Sequence, residues 1–397
     1  MADAREVWIT GFGIVSTLGE GADAHWQKLE AAAPSADVTT FSPYVVHPIA
    51  PIEFDKQIPK KSDQRQMEAW QRIGTYAAGL ALDAAGAKGN ADVLKRMDLI
   101  VAAGGGERDY KADAAILTGL RKAANPGVFL NERLMNDLRP TLFLAQLSNL
   151  LAGNISIVHG VTGSSRTFMG EEAAGFDAVR IAHARVAAGQ SDIVLVGSAQ
   201  NGEREDLLLL YEAGGFALKD GLAPVFERKA RGGGVALGSL GVFLVLEAAD
   251  HARARSAKPQ AKLSAVTADR SDRAAGATEA LLERMWEGIA PRLVPGRHAI
   301  LSGASGAEPA TSGERNFLER HAGVPVRATG THIGHGVEAQ FPMNVALATL
   351  ALSHGKLFAP ADGSGVEGPM ESPLTQVVVT GVGHWRGEGM ALLEAAS

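Results

Sequence analysis

VWITGFG, residues 7–13, is a β-branched and aromatic run that ends in Gly-x-Gly, the pattern of a buried strand entering a tight turn. The same pattern returns near the other end as VVVTGVG, residues 377–383. A second pair, IVLVGSA at 193–199 and ILSGAS at 300–305, repeats the device. Apolar strands that end in glycine in both halves hint at a duplicated architecture. Helical periodicity at 64–85 (closed by Gly86), 138–153, 173–188, 278–289 and 339–353 separates strand-like runs at 98–103, 154–159, 192–196, 242–247, 299–301 and 377–380. Thr278 reads as an N-cap, a basic helix is expected over 248–256, and the Gly- and Pro-rich stretch 359–373 reads as an exposed loop. Strands alternating with helices indicate a layered α/β fold.

The 397 residues are 46% hydrophobic and 21% charged, with net charge −6. That length is ample for a large core and for two to three domain-sized units. The acidic balance argues against nucleic acid or an anionic membrane surface as a partner. No apolar run approaches the ~18 residues that span a bilayer, so no membrane insertion is expected. Residues 1–10 lack an apolar signal core, which makes the cytoplasm the expected location. There are 47 glycines and no cysteine. The missing cysteine excludes disulfides, thiolate metal sites and a cysteine nucleophile together.

Several motifs are decoys. Gly11-Phe12-Gly13 opens like a dinucleotide fingerprint, but Ser16 stands where the third glycine belongs. Gly303-Ala304-Ser305-Gly306 misses the serine-hydrolase elbow spacing by one residue. His332 and His335 stand three apart, without a cysteine or a carboxylate pattern to complete a metal site. Neither a metal nor a cofactor is expected. GEEAAG, residues 170–175, is more informative, because it joins an irregular strand at 164–169 to a helix. A residue at that junction meets free N–H groups and a dipole that favour a negative charge or an oxyanion. On the residues alone, Glu171 and Glu172 also fit the commoner role of acidic residues in a first helical turn.

Six segments together resemble the elongating β-ketoacyl-acyl-carrier-protein synthases over nearly the whole chain. They are VWITGFGIVSTLGEG (7–21), KKSDQRQMEAW (60–70), RPTLFLAQLSNLLAGNISIVHGVTG (139–163) and AAGQSDIVLVGSA (187–199). APVFERKARGGGVALGSLGVFLVLEAADHARARSAKPQAKL (223–263) and GHGVEAQFPMNVALATL (334–350) complete the set. The resemblance implies a duplicated α-β-α-β-α, five-layered thiolase-like fold forming a tight dimer, with halves at 1–250 and 251–397. In that family a Cys-His-His triad lies at the base of an acyl tunnel and a nearby Lys orders it. Backbone amides at the Cys and at a C-terminal glycine-rich turn make the oxyanion hole.

Carried over one position at a time, the nucleophile falls on Glu172, the first His on Ala304 and the Lys on Gly330. The second His is retained as His335. The C-terminal turn, usually Gly-Phe-Gly-Gly, reads Gly381-Val382-Gly383-His384, with Val382 in place of the gating aromatic. A carboxylate at 172 forms no thioester, so the resemblance implies a synthase that does not condense on its own. A charge-assisted Glu172–His335 hydrogen bond is expected to replace the triad.

The leading reading is a chain-length-factor-like subunit of fatty acid synthesis (very-long-chain acyl synthesis included) or polyketide synthesis. It implies an acyl carrier protein and a heterodimer with a Cys-containing ketosynthase, or a homodimer when alone, with residues 164–169 at the interface. The alternatives are a malonyl-acyl-carrier-protein decarboxylase and a non-catalytic carrier-protein scaffold.

Overall fold

The computed structural model describes residues 4–138, 141–370 and 373–396. Its main strands are β1 (Val7–Ser16), β2 (Asp98–Ala103), β3 (Ser165–Met169), β4 (Ile193–Gln200) and β5 (Leu240–Ala248) in the first part. The second part supplies β6 (Ala261–Asp269), β7 (His298–Ser302), β8 (Val326–Ala328), β9 (Gln376–Val382) and β10 (Glu388–Ala395). Their spatial order is β8-β7-β9-β10-β6-β1-β5-β4-β2-β3. Each set of five has the same order, third-second-fourth-fifth-first. Each is parallel across its first three neighbours and antiparallel at the last two pairings. The sets meet where Trp8 pairs with Lys262 and Ile9 with Ala261.

Helices fill three layers around these two sheets. α1 (Ala69–Ala84) and α2 (Leu150–His159) cover the outer face of the first sheet, packing Ile73, Tyr76 and Leu151 on Leu99, Val101 and Phe243. α3 (Glu172–Ala187), α4 (Glu205–Ala213), α5 (Ala277–Ile289), α6 (Ala310–Arg320) and α7 (Gln340–His354) follow. α5 and α6 cover the outer face of the second sheet with Leu282, Trp286 and Phe317. α3 and α7 lie between the sheets, where Phe176, Val179, Phe341 and Leu347 meet Ile100, Val196 and Val379. Residues alternate along β2, Leu99 and Val101 facing out and Ile100 facing the middle layer, as strand pleating requires. α7 is buried continuously from Gln340 to Leu352, which explains its near-unbroken apolar sequence. The result is the five-layered α-β-α-β-α arrangement. It places the N-terminus of α3 and the approach to α7 side by side at the centre.

Local expectations needed correction. Residues 64–68 do not join α1, which starts at Ala69 behind a capping box made by Glu68 and Gln71. Residues 154–159 form the second half of α2 rather than a strand, closed by Gly160 at φ 77. The helix expected over 138–153 is a short turn at Leu142–Ala145 followed by α2, and its residues 139–140 lie outside the described residues. The N-cap of α5 is Gly276, while Thr278 sits inside the helix and its hydroxyl accepts from Arg273 at 2.7 Å. The 359–373 loop is half-buried rather than exposed, since Glu367 accepts from the Ala328 and Ala361 N–H groups, both at 2.7 Å. Residues 371–372 of that loop lie outside the described residues.

Candidate functional site

The chain turns into α3 at Gly170, whose φ of 143 suits glycine rather than an L side chain. Glu172 is the first residue of the helix and is only 2% exposed. Its partners come from the second half of the chain. His335 sits between Gly334, at φ 70, and Gly336. Its backbone N–H donates to Ala236 at 2.8 Å and its carbonyl accepts from Gly238 at 3.0 Å, which pins the loop ahead of α7. The expected bond is present, with His335 Nε2 2.7 Å from Glu172 Oε1. His335 Nδ1 has no hydrogen-bond partner among the described residues, which assigns the proton to Nε2.

His384, in the turn after β9, is the residue that sequence reasoning missed as a partner. Its Nδ1 lies 2.8 Å from Glu172 Oε1 and 3.1 Å from Oε2, and its backbone N–H donates to Oε1 at 3.2 Å. The available signal was a histidine in the last place of a turn that the family usually fills with glycine. Arg273 holds this turn from outside. Its Nη2 donates to the carbonyls of Gly383 at 2.6 Å and Gly387 at 3.2 Å, while Nη1 pairs with Glu388.

Burial opposes charge on Glu172, yet hydrogen bonds from His335 and His384 outweigh it and hold the carboxyl well below its usual range. Burial likewise lowers His384, and the Glu172 carboxylate outweighs that, raising the imidazole above its ordinary value. The dipole of α3 acts in the same direction on Glu172. The result is a buried carboxylate whose Oε1 accepts three N–H groups, from His335 Nε2, His384 Nδ1 and the His384 backbone.

Ala304 follows β7, and Gly330 adjoins it: a Cβ built on Gly330 would stand 3.0 Å from the Ala304 carbonyl. Neither position carries a titratable group. Gly381 and Val382 end β9, and a Cβ on Gly383 would meet Glu172 Oε2 at 3.3 Å. The cleft bounded by Glu172, Phe176, Gly303, His335, Phe341 and Val382 has no room for a water molecule. His332 packs edge-on against Phe358 while His335 turns to Glu172, so the two histidines do not share a ligand. On the other side of Glu171 and His384 opens a cavity of about 750 Å³, edged by Met169, Tyr211, Phe216, Glu338 and Trp385.

A family model described as the β-ketoacyl synthase N-terminal domain matches residues 4–252. The 3-oxoacyl-acyl-carrier-protein synthase 2 of Vibrio cholerae is 23% identical over 273 residues, which are 65% of this chain and 62% of that relative. The chain therefore spans less than two thirds of that relative's length. Among solved structures, the ishigamide ketosynthase/chain length factor superposes with a TM-score of 0.80 at 19% identity, over 99% of this chain and 100% of the other. A type II polyketide acyl-carrier protein in complex with its ketosynthase gives 0.74 at 16% identity, again over 99% and 100%. These two likenesses establish the thiolase-like fold end to end. With more than half of its residues under the family model, the chain belongs to the β-ketoacyl synthase family.

Proposed function

We propose that this protein is a non-condensing, chain-length-factor-like subunit that pairs with a Cys-bearing ketosynthase in fatty acid or polyketide synthesis. The observation that carries the reading is Glu172, a buried carboxylate at the nucleophile's place with both flanking histidines committed to it. A carboxylate held this way has neither the thiol chemistry nor the space to take an acyl group. Ala304 and Gly330 at the remaining positions point the same way.

A second observation supports the partner. β3 ends the sheet, pairing with β2 alone among the described residues, and an unpaired edge is a template for another chain. Exposed apolar side chains stand at its end and on the adjacent α2, with Met169 at 71% and Ile157 at 74%. The active subunit would meet the acyl carrier protein, and this one would shape the shared acyl tunnel across the dimer axis. The repeated strand order supports a division into halves at 1–250 and 251–397. An ionised Glu172 would repel both a malonyl carboxylate and its enolate, which argues against a decarboxylase. No helix among the described residues is long and apolar enough to cross a membrane.

The test is native mass spectrometry on tagged protein purified from its own host at endogenous level. A one-to-one complex with a Cys-bearing synthase is the expected result. A clean homodimer overturns the reading.

A further inference from the structure

Away from Glu172, the chain builds a second concavity around residues 222–231. Pro224 leads into a turn over Val225–Arg231, and Gly232 closes it at φ 89, a conformation that suits glycine. Arg228 fixes the turn from inside. It is 1% exposed, and its Nε donates to the Ala223 carbonyl at 2.9 Å. Its Nη1 donates to the carbonyls of Gly234 at 3.1 Å and Ser305 at 3.0 Å, while Nη2 has no partner among the described residues. Burial lowers this guanidinium only to about 10, so it is charged at neutral pH. With Arg228 locked in place, Lys229 and Arg231 stand on the exposed side of the turn.

The turn lines a groove of about 770 Å³, which Arg315 of α6 and Ser364 of the 359–373 loop complete. The donors there are largely unspent. Lys229 Nζ has no acceptor among the described residues. Arg231 uses only Nη1, which donates to the Gly221 carbonyl at 3.1 Å. Arg315 donates from Nε to Glu319 at 2.7 Å and from Nη1 to the Phe226 carbonyl at 3.3 Å, leaving Nη2 unused among the described residues. Ser364 Oγ accepts from the Val366 N–H at 3.4 Å, and its own proton has no acceptor among the described residues. Glu227 carries the one carboxylate in the lining, and its Oε1 already accepts from the Gly363 N–H at 2.8 Å. Three cations thus line the groove against one carboxylate, in a chain whose net charge is −6.

We propose that this groove binds a compact phosphate-bearing ligand with at least two negative charges. Its volume lies within the range of small-molecule sites. Guanidinium forks match phosphate oxygens in geometry, and a lysine adds a mobile point charge. Arg231, Arg315 and Lys229 supply both kinds of group, and the Ser364 hydroxyl adds a neutral donor. These donors come from three separate segments and face one volume, which suits a small polyanion better than the spaced carboxylates of an acidic helix. A neutral ligand would leave the positive field unmatched. This groove shares no lining residue with the cleft at Glu172 or the cavity beside it, so it is independent of the partner-subunit reading.

The experiment is calorimetric titration of the purified full-length protein with inorganic pyrophosphate, acetate and a decaglutamate peptide in low salt. Pyrophosphate is expected to saturate one site and to bind about tenfold or more tightly than acetate. Lys229→Gln, Arg231→Gln and Arg315→Gln, each checked for an unchanged melting temperature, should each weaken pyrophosphate about threefold. The Lys229→Gln and Arg231→Gln double variant should weaken it about tenfold. Lys56→Gln removes an exposed lysine outside the groove and should leave the affinity unchanged. Absence of saturable binding, an affinity indifferent to all three groove variants, or an equal loss with Lys56→Gln overturns the proposal. Decaglutamate that binds more tightly than pyrophosphate, and loses affinity with the same variants, also overturns it and assigns the groove to an acidic protein surface.

Discussion

At the scale of single residues, the site is one carboxylate and the groups that hold it. Replacing His335 by Ala leaves Glu172 buried and short of a hydrogen bond at 2.7 Å. The expected cost is about 3 kcal/mol, read as a shifted urea midpoint. An unmoved midpoint in a well-folded variant would show that the contact holds nothing together. Glu172→Cys tests the other side of the argument. The new thiol would face His335, with Ala304 and Gly330 at the positions that we propose match the family's other two catalytic side chains. We expect no condensation product from acyl and malonyl carrier protein, even if intact mass detects slow acylation. Product at the rate of an active synthase would mean that the missing His and Lys are dispensable. Glu172 and His335 were legible in the sequence because each lies in a motif with a fixed spacing. His384 was not, because its bond exists only once the turn after β9 folds back over the start of α3, and no local pattern encodes that return.

At the scale of elements, pattern located strands well and paired them badly. The echo between residues 7–13 and 377–383 signals a duplication, but the first lies in the first strand of its set and the second in the fourth. The topological counterpart of β9 is β4, so similar Gly-x-Gly endings arise wherever a buried strand meets a tight turn. Residues 154–159 show the opposite error. Their β-branched composition favours a strand, yet Ile155 is 0% and Ile157 is 74% exposed. Two residues apart in a strand would share a face; in a helix they lie far round the axis, and burial of one face decided the outcome. The exposed member of that pair leads to a prediction about β3. Ile157→Lys and Met169→Lys put charge beside the open edge without touching the core. We expect each to abolish co-purification with a ketosynthase partner while moving the melting temperature by less than about 2 °C. Undiminished co-purification of the double variant would place the partner elsewhere.

At the scale of the whole molecule, five packed layers trap titratable groups that the unfolded chain would expose. Burial lowers His25 to about 4, His47 to about 3, and His159 and His332 each to about 4. In each case the fold refuses a proton that the unfolded chain accepts from pH 6.5 downward. The stability tied to these groups is therefore present above pH 6.5 and lost as pH falls toward 4. Glu338 works in the opposite sense: burial raises it to about 8, so its contribution is present below pH 4.5 and lost as pH rises through 8. The two effects oppose each other on the acid side, where burial also lowers His183 and also raises Glu107, Glu314 and Glu367, so a single replacement is what isolates one group's share of the pH dependence. His47 is fully buried and has the lowest value of the four. Its conversion to Gln removes one refused proton, so the slope of unfolding free energy against pH should flatten by roughly 1.4 kcal/mol per pH unit between pH 4.5 and 6. Urea titrations of both proteins at half-unit steps measure that slope directly. A parallel pair of curves would mean that His47 takes up its proton in the folded state, and that the packing around it opens to let the proton in.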